Sequence, residues 1–319
     1  MQQAQRLAIV IPAFKKKFLR ETLDSLKNQT NKAFSVYIGD DNSPENLWEI
    51  IKDFIDELDI IYKKYESNWG AKDLVSHWNR CIDLVKDEDW IWLFSDDDCM
   101  NSNCVESFYQ FIKKNPDKDL IHFNVKVIDS SSKEIMAYRA LNNFPSNMTG
   151  SEFFKAKILH KIHSYVIEYV FKRQLIDSYG KFINFDLAWC SDDATWINFA
   201  QSTGISTIEG VYVRWRLSDI NISSIKSDSK IVIRKLEAKL NYFIWIKSLF
   251  KTFPIDNLSI IKWFYLEIIG NQSLSIFYKI RVSFKYTKKL FGYRYAFLAN
   301  LYILQKEVRI AIGSFLNYL

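Results

Sequence analysis

Trp90-Ile91-Trp92-Leu93-Phe94-Ser95-Asp96-Asp97-Asp98 is the stretch whose reading decides how this chain of 319 residues folds. Five apolar residues in a row, two of them Trp, read as a strand buried on both faces. The run then stops at three consecutive carboxylates. Burying like charges side by side is costly, so the triplet belongs where the strand leaves its sheet. That is the carboxyl end of a strand, where open α/β sheets bind their ligands. Adjacent Asp oxygens suit a hard cation such as Mg²⁺ or Mn²⁺, which in turn holds a diphosphate. The plainer alternative is that the triplet turns the chain and caps a helix beginning near Asn101.

Upstream of this strand the chain alternates. Leu7 to Pro12 is a short β-branched run ended by Pro, and Phe18, Leu19, Thr22, Leu23 and Leu26 recur at helical spacing. Phe34 to Gly39 is a second strand, and it too ends on acids, in Asp40-Asp41-Asn42-Ser43-Pro44. Leu47 to Leu58 reads as a helix, Asp59 to Tyr62 as an edge-like strand, and Leu74 to Val85 as a strongly amphipathic helix. The order β-α-β-α-β-α-β predicts a mostly parallel sheet with helices on both faces, a Rossmann-like α/β fold. Downstream come a helix over 101–114 and a strand over 119–128, with an irregular stretch over 138–148. A helix over 151–160 and a strand over 165–171 follow. Ser191-Asp192-Asp193 opens another helix, and a last strand over 207–215 ends in Arg214-Trp215-Arg216.

Composition narrows the function classes. Only 9 Gly are present, with neither a G-x-G-x-x-G fingerprint nor a G-x-x-x-x-G-K-[ST] loop, which argues against a dinucleotide dehydrogenase or a P-loop enzyme. The 4 Cys form no C-x-x-C pair, and reduced thiols in a cytoplasmic setting are expected. Met1 to Arg6 is polar and runs straight into a strand, so no signal peptide is expected, nor any membrane-spanning helix. Charge is uneven: residues 1–225 carry 27 Lys+Arg against 32 Asp+Glu, whereas 226–319 carry 16 against 5. Beyond about Ser224 the pattern becomes helical, basic and aromatic, over 231–251, 260–269 and 275–290. Such helices suit the inner surface of an anionic membrane, or pack on the protein or on a second copy in a homo-oligomer. Their cations are spread among aromatics and not gathered in one patch, so nucleic acid is not an expected partner.

Ile9-Val10-Ile11-Pro12-Ala13-Phe14, Leu19 to Gln29 and Asp40-Asp41-Asn42-Ser43 closely resemble the opening of family 2 glycosyltransferases, which have the GT-A fold. Ser76-His77-Trp78-Asn79-Arg80-Cys81 and the stretch from Trp92 to Asp98 resemble the same family's central block. The resemblance covers about residues 5–225. It implies a catalytic domain over 1–225, followed by a helical region over 226–319 that matches no family pattern. It further implies that Pro12, Ala13, Phe14, Asp41, Asn79, Asp96 and Asp97 bind the nucleotide, with Asp41 accepting from the base. Asp96 and Asp98 would be the D-x-D pair holding Mn²⁺ or Mg²⁺. Asp193, beside Asp192, would be the general base, and Arg214 or Arg216 would reach the diphosphate. Two departures stand out: Asn42 replaces the commoner Gly, and Phe94 stands where many relatives carry the first acid of D-x-D-D.

The resemblance therefore implies an inverting, metal-dependent transferase. It would move a sugar from a UDP-sugar donor to a glycan or lipid-linked acceptor in surface polysaccharide assembly. Its residue types suit the chemistry: a cation neutralises the leaving diphosphate, and a carboxylate takes the proton of the attacking hydroxyl. A nucleotidyltransferase is one rival reading, although its Gly-rich first loop is missing after Pro12. A catalytically silent, glycan-binding scaffold is another. His77 reads as a structural histidine, and Asn79 as a possible brace for the loop after the second strand.

Overall fold

The computed structural model describes residues 5–136, 144–218, 228–271 and 274–316, with side chains as far as 309. The first elements follow the expected alternation: β1 (Leu7–Ala13), α1 (Leu19–Lys27), β2 (Phe34–Asp40), α2 (Trp48–Ile51), β3 (Ile60–Lys64), α3 (Leu74–Ile82) and β4 (Trp90–Leu93). After the acidic triplet come β5 (Cys99–Met100), α4 (Cys104–Lys114), β6 (Leu120–Ile128), β7 (Asn147–Met148) and α5 (Gly150–Ile158). The unit closes with β8 (Tyr169–Lys172), α6 (Gln174–Tyr179), α7 (Ser191–Phe199) and β9 (Ile205–Arg216).

One sheet joins these strands in the order β3-β2-β1-β4-β8-β6-β9-β5, with β7 also on β9. The first four run parallel. β8 enters antiparallel between β4 and β6, and β9 runs parallel to β6. The sheet centre is β4, all four residues of which are buried. Trp92 stacks on Phe123 with centroids 4.7 Å apart, and its indole N–H donates to the Ile167 carbonyl at 2.6 Å. The buried indole is thus satisfied, which is the condition for placing Trp in a core. α1 lays Leu19, Leu23 and Leu26 on the sheet, as its 3.6-residue stripe requires.

Two expectations are corrected, and one strand was not expected. The helix over 47–58 is shorter, giving way after Ile51 to a 3₁₀ turn over Lys52–Phe54. Tightening the turn still buries Leu47, Ile51, Phe54 and Leu58, so the apolar stripe is satisfied without a continuous α-helix. The strand over 165–171 begins instead with a 3₁₀ turn, Val166–Glu168, and is extended only in β8. β5 is two residues long and follows the triplet directly, too short to leave a period in the sequence. The irregular stretch begun at Tyr138 lies outside the described residues up to 143, as do Met1 to Ala4.

The chain divides into two compact units, Met1–Asn221 and Ile222–Leu319. The expected boundary at 225/226 falls within 219–227, outside the described residues. The second unit is helical: α8 (Ser229–Phe250), α9 (Asn257–Ile269), α10 (Ile276–Phe291) and α11 (Tyr293–Leu316). α11 extends the helical region beyond the three helices read from the sequence. The unit has its own core, including Leu240, Phe264, Ile268, Val282 and Ile303. Among the described residues no helix is long and apolar enough to cross a membrane.

Candidate functional site

The carboxyl ends of β1, β2 and β4 lie side by side in the parallel part of the sheet, and each continues into a polar loop. The Asp96 carboxylate accepts the backbone N–H groups of Phe14 and Lys15, both at 2.7 Å. The triplet therefore clamps Phe14 and Lys15, where the chain leaves the Pro12–Ala13 end of β1. The Ser43 hydroxyl donates to the Phe14 carbonyl at 2.6 Å and ties in the loop after β2. Asn42 holds a left-handed φ of 56°, which Asn tolerates, so it serves where relatives carry Gly.

Asp96, Asp97 and Asp98 sit off the end of β4, yet all three are buried. Asp97 accepts from the Ser95 hydroxyl at 2.5 Å, and Asp98 from the Arg216 backbone N–H at 2.6 Å. Burial, followed by the charge of Asp97, pushes Asp96 up to about 6 and Asp98 well above the usual carboxylate range. Among the described residues, Asp96 Oδ1 and Asp98 Oδ2 take no hydrogen bond. Cramped, partly unengaged carboxylates of this kind fit a divalent cation. The described residues hold no cluster of three His, Cys, Asp or Glu that would cage a metal unaided. Mg²⁺ at nucleotide sites is held by one or two carboxylates with substrate phosphates, so Asp96 and Asp98 fit that mode.

The two late arginines part company. Arg216 is fully buried, donating to the Asp97 and Asp129 carbonyls, to Ser132 and to Glu21, and lying over the Phe18 ring at 4.1 Å. It braces the triplet from behind. Arg214 lines a recess of about 270 Å³ with Ser25, Asn28, Met100, Asn101, Ser102 and Tyr212, and its Nε has no hydrogen-bond partner among the described residues.

Asp41 is buried and engaged. It accepts the backbone N–H groups of Trp69 and Gly70 at 2.8 and 2.7 Å and pairs with Arg80. A Cβ on Gly70 would meet Asp41 Oδ2 at 2.6 Å, so a larger residue there would displace the Asp41 carboxylate. Arg80 lies over the rings of Tyr65 and Trp69, at 3.8 and 4.4 Å. His77 Nδ1 is 3.4 Å from Asp41, but burial outweighs that carboxylate and lowers its pKa to about 4. The histidine is therefore neutral near pH 7, and Arg80 supplies the cation. Asn79 accepts from the Phe182 backbone N–H at 3.1 Å, tying α3 to the segment ahead of α7. Sequence reading quoted Arg80 within its motif without giving it a role; the signal was its place one turn after His77.

The second acidic pair opens α7. Leu187, Ala188 and Cys190, just ahead of it, hold left-handed φ values of 59°, 56° and 68°. Each costs about 1–2 kcal/mol in a non-glycine residue, and such strain gathers at functional segments. Trp196 of α7 stacks on Tyr169 of β8, 4.5 Å between centroids. β8 runs antiparallel beside β4 with Val170 opposite Trp92, so Tyr169 stands at the edge from which the triplet emerges. Burial raises the Tyr169 phenol, with Glu168, Asp193 and Asp192 adding to the shift. The Trp196–Tyr169 stack fastens the start of α7, with Asp192 and Asp193, to the same edge of the sheet.

Asp193 is only 7% exposed. Its Oδ2 is 3.1 Å from the Lys157 ammonium of α5, while its Oδ1 is buried with no hydrogen-bond partner among the described residues. Burial lowers Lys157, but Asp193 and Asp192 outweigh it and leave the ammonium raised. Burial, then the charge of Asp193, pushes Asp192 up to about 7. Lys157 was missed in the sequence, because one of several lysines on a short amphipathic helix carries no signal.

The chain matches the model of glycosyl transferase family 2 over residues 8–174. Its structure is similar to that of residues 1–349 of S. aureus TarS in complex with UDP-GlcNAc. The TM-score is 0.61 at 12% identity, over 96% of this chain and 92% of that one. The same TarS fragment with UDP gives 0.58 at 13% identity over the same shares. A longer TarS structure gives 0.57 at 14% identity, covering 94% of this chain and 55% of that one. No curated protein matches the chain. At such identities the likeness speaks for the fold alone, which is of the GT-A type.

Proposed function

From the premise that this chain belongs to glycosyl transferase family 2, we propose that it is an inverting hexosyltransferase acting on a UDP-sugar. The acceptor is a glycan or lipid-linked glycan in surface polysaccharide assembly, met at the cytoplasmic face of the membrane. The observation that carries the reading is Asp193: one oxygen held by Lys157, the other buried and without a hydrogen-bond partner among the described residues, at the edge shared with the acidic triplet.

The geometry supports the following roles. Pro12, Ala13 and Phe14 form the floor of the nucleotide site, held in place by Asp96. Asp41 acts on the base side by fixing Arg80 and the Trp69–Gly70 turn, leaving Arg80, Tyr65 and Trp69 as the recognition surface. Asp96 and Asp98 would hold Mn²⁺ or Mg²⁺, with Asp97 beside them, and the bound cation would neutralise charge on the leaving diphosphate. Arg216 positions the triplet, and Asn79 positions the segment leading to Asp193. The Lys157 ammonium holds Asp193 by one oxygen, and Oδ1 takes the proton of the acceptor hydroxyl as it attacks the anomeric carbon. A single displacement of this kind inverts the centre. TarS bound to UDP-GlcNAc, on a similar fold, supports the choice of donor class.

The test is a thermal-shift panel of UDP, GDP, dTDP and CMP, with and without Mn²⁺, on the wild type and on Asp98→Ala. A metal-dependent shift with UDP, lost in the variant, is expected. Release of pyrophosphate during turnover would favour the nucleotidyltransferase instead, and no shift with any nucleotide would favour the silent scaffold.

A further inference from the structure

The second unit carries an apolar stripe on its outer side. α10 ends at Gly292, whose φ of 90° suits a residue without a Cβ, and α11 starts at the next residue and packs along it. α11 turns Ala296, Ala299 and Ile303 inward, at helical spacing. Tyr293, Phe297, Leu301, Leu304 and Val308 recur at steps of 4, 4, 3 and 4 on another side, and they are 66%, 62%, 49%, 43% and 56% exposed. That period ordinarily marks a core-facing stripe.

α10 extends the surface. Phe277, Arg281, Phe284, Lys285 and Lys288 share one exposed face, with Phe277 82% open. Phe284 meets Tyr293 ring to ring at 6.5 Å, and the Lys288 ammonium lies 4.3 Å over the Tyr293 ring, so the two faces are continuous. A contiguous exposed apolar face of this kind marks an interaction site.

The charges choose the occupant. Cations are interleaved with the aromatics on the same face, in a region with 16 Lys+Arg against 5 Asp+Glu. A second copy would press like charges together, and the centres of protein interfaces are poor in Lys. A surface of anionic lipid supplies both an apolar layer for the rings and countercharge for the ammonium groups. We propose that the outer faces of α10 and α11 dock this protein peripherally on anionic membrane, the rings in the interface and Arg281, Lys285 and Lys288 among the headgroups. The proposal stands on these residues and not on the transferase reading.

The experiment is co-sedimentation of the full chain with vesicles of phosphatidylcholine, alone or mixed with phosphatidylglycerol. The wild type should pellet with the mixed vesicles, far less with the neutral ones, and be released by salt. Lys285→Glu with Lys288→Glu should cut partitioning at least about tenfold, at about fivefold per lost cation. Phe277→Ser with Phe297→Ser should also weaken it about tenfold or more, although neither ring packs in the core. Pelleting with neither vesicle, or equally with both, overturns the proposal. So does a dimer seen by light scattering that the Phe variants abolish without any vesicle binding. UDP thermal shifts on the same samples keep the two readings apart: their absence counts against the transferase and leaves the vesicle result standing.

Discussion

Asp96-Asp97-Asp98 and Asp192-Asp193 are alike as sequence and opposite as environments. The triplet leaves a strand, and its carboxylates accept from backbone N–H groups and a serine hydroxyl, with the charges of Lys15 and Arg216 offsetting only part of the burial of Asp96 and Asp98. The pair opens a helix and has the ammonium of Lys157 on one oxygen. Buried carboxylates raised in pKa, as Asp96 and Asp98 are, gain by binding a cation. A carboxylate held on one side by an ammonium keeps its other oxygen for a proton. Similar acids are thereby prepared for different work, one set for a metal and diphosphate and the other for a hydroxyl.

The sharpest way to break this contrast is Asp193→Asn. It should lower kcat by about 10²–10⁴-fold while leaving the UDP thermal shift intact, as read by donor turnover and melting on one preparation. Equal loss of binding and turnover would remove the distinction. Asp98→Ala should do the reverse, removing a metal-dependent nucleotide stabilisation of up to about 3 kcal/mol at saturating ligand. Lys157→Met should cost about 2 kcal/mol in denaturant unfolding, since it strands a buried carboxylate beside a partly exposed site. Adding Asp193→Asn to it should recover much of the loss, and a purely additive double variant would show that the pair is not coupled.

The smallest effect is one of pH. Asp192 has a folded pKa raised to about 7 from an ordinary 3.8, so the folded state holds its proton more tightly than the unfolded chain does. Its charge therefore costs stability above pH 7, and that cost fades as pH falls from 7 towards 3.8. Asp192→Asn should melt higher than the wild type at pH 8, by about 2–4 °C for each 1 kcal/mol recovered, and the gap should close by about pH 4. A gap that widened on acidification would reverse the assigned environment.

Much of the fold was legible because its signals are local. LAIVIP and WIWLF announce buried strands by composition, and α1 and α3 announce themselves by apolar period. The acids at the ends of β2 and β4 mark the ligand edge wherever those strands sit. What escaped is what distance in sequence conceals. The antiparallel entry of β8 between β4 and β6 depends on pairings between strands far apart in the chain, and the two-residue β5 exists because β9 is there to pair with it.

The same division runs through the site. Sequence alone determined which acids end strands or open a helix, that the first 225 residues are acidic on balance and the remainder basic, and that the latter is helical and aromatic. Tertiary structure alone decided the neighbours: Arg80 and a glycine turn on Asp41, Lys157 on Asp193, Arg216 behind the triplet and Arg214 in a recess. It also decided that α11 turns a second apolar stripe outward. The physical reason is that a side chain's charge, pKa and exposure are set by atoms within a few ångströms. In a sheet of crossing connections, those atoms come from residues tens to hundreds of positions away.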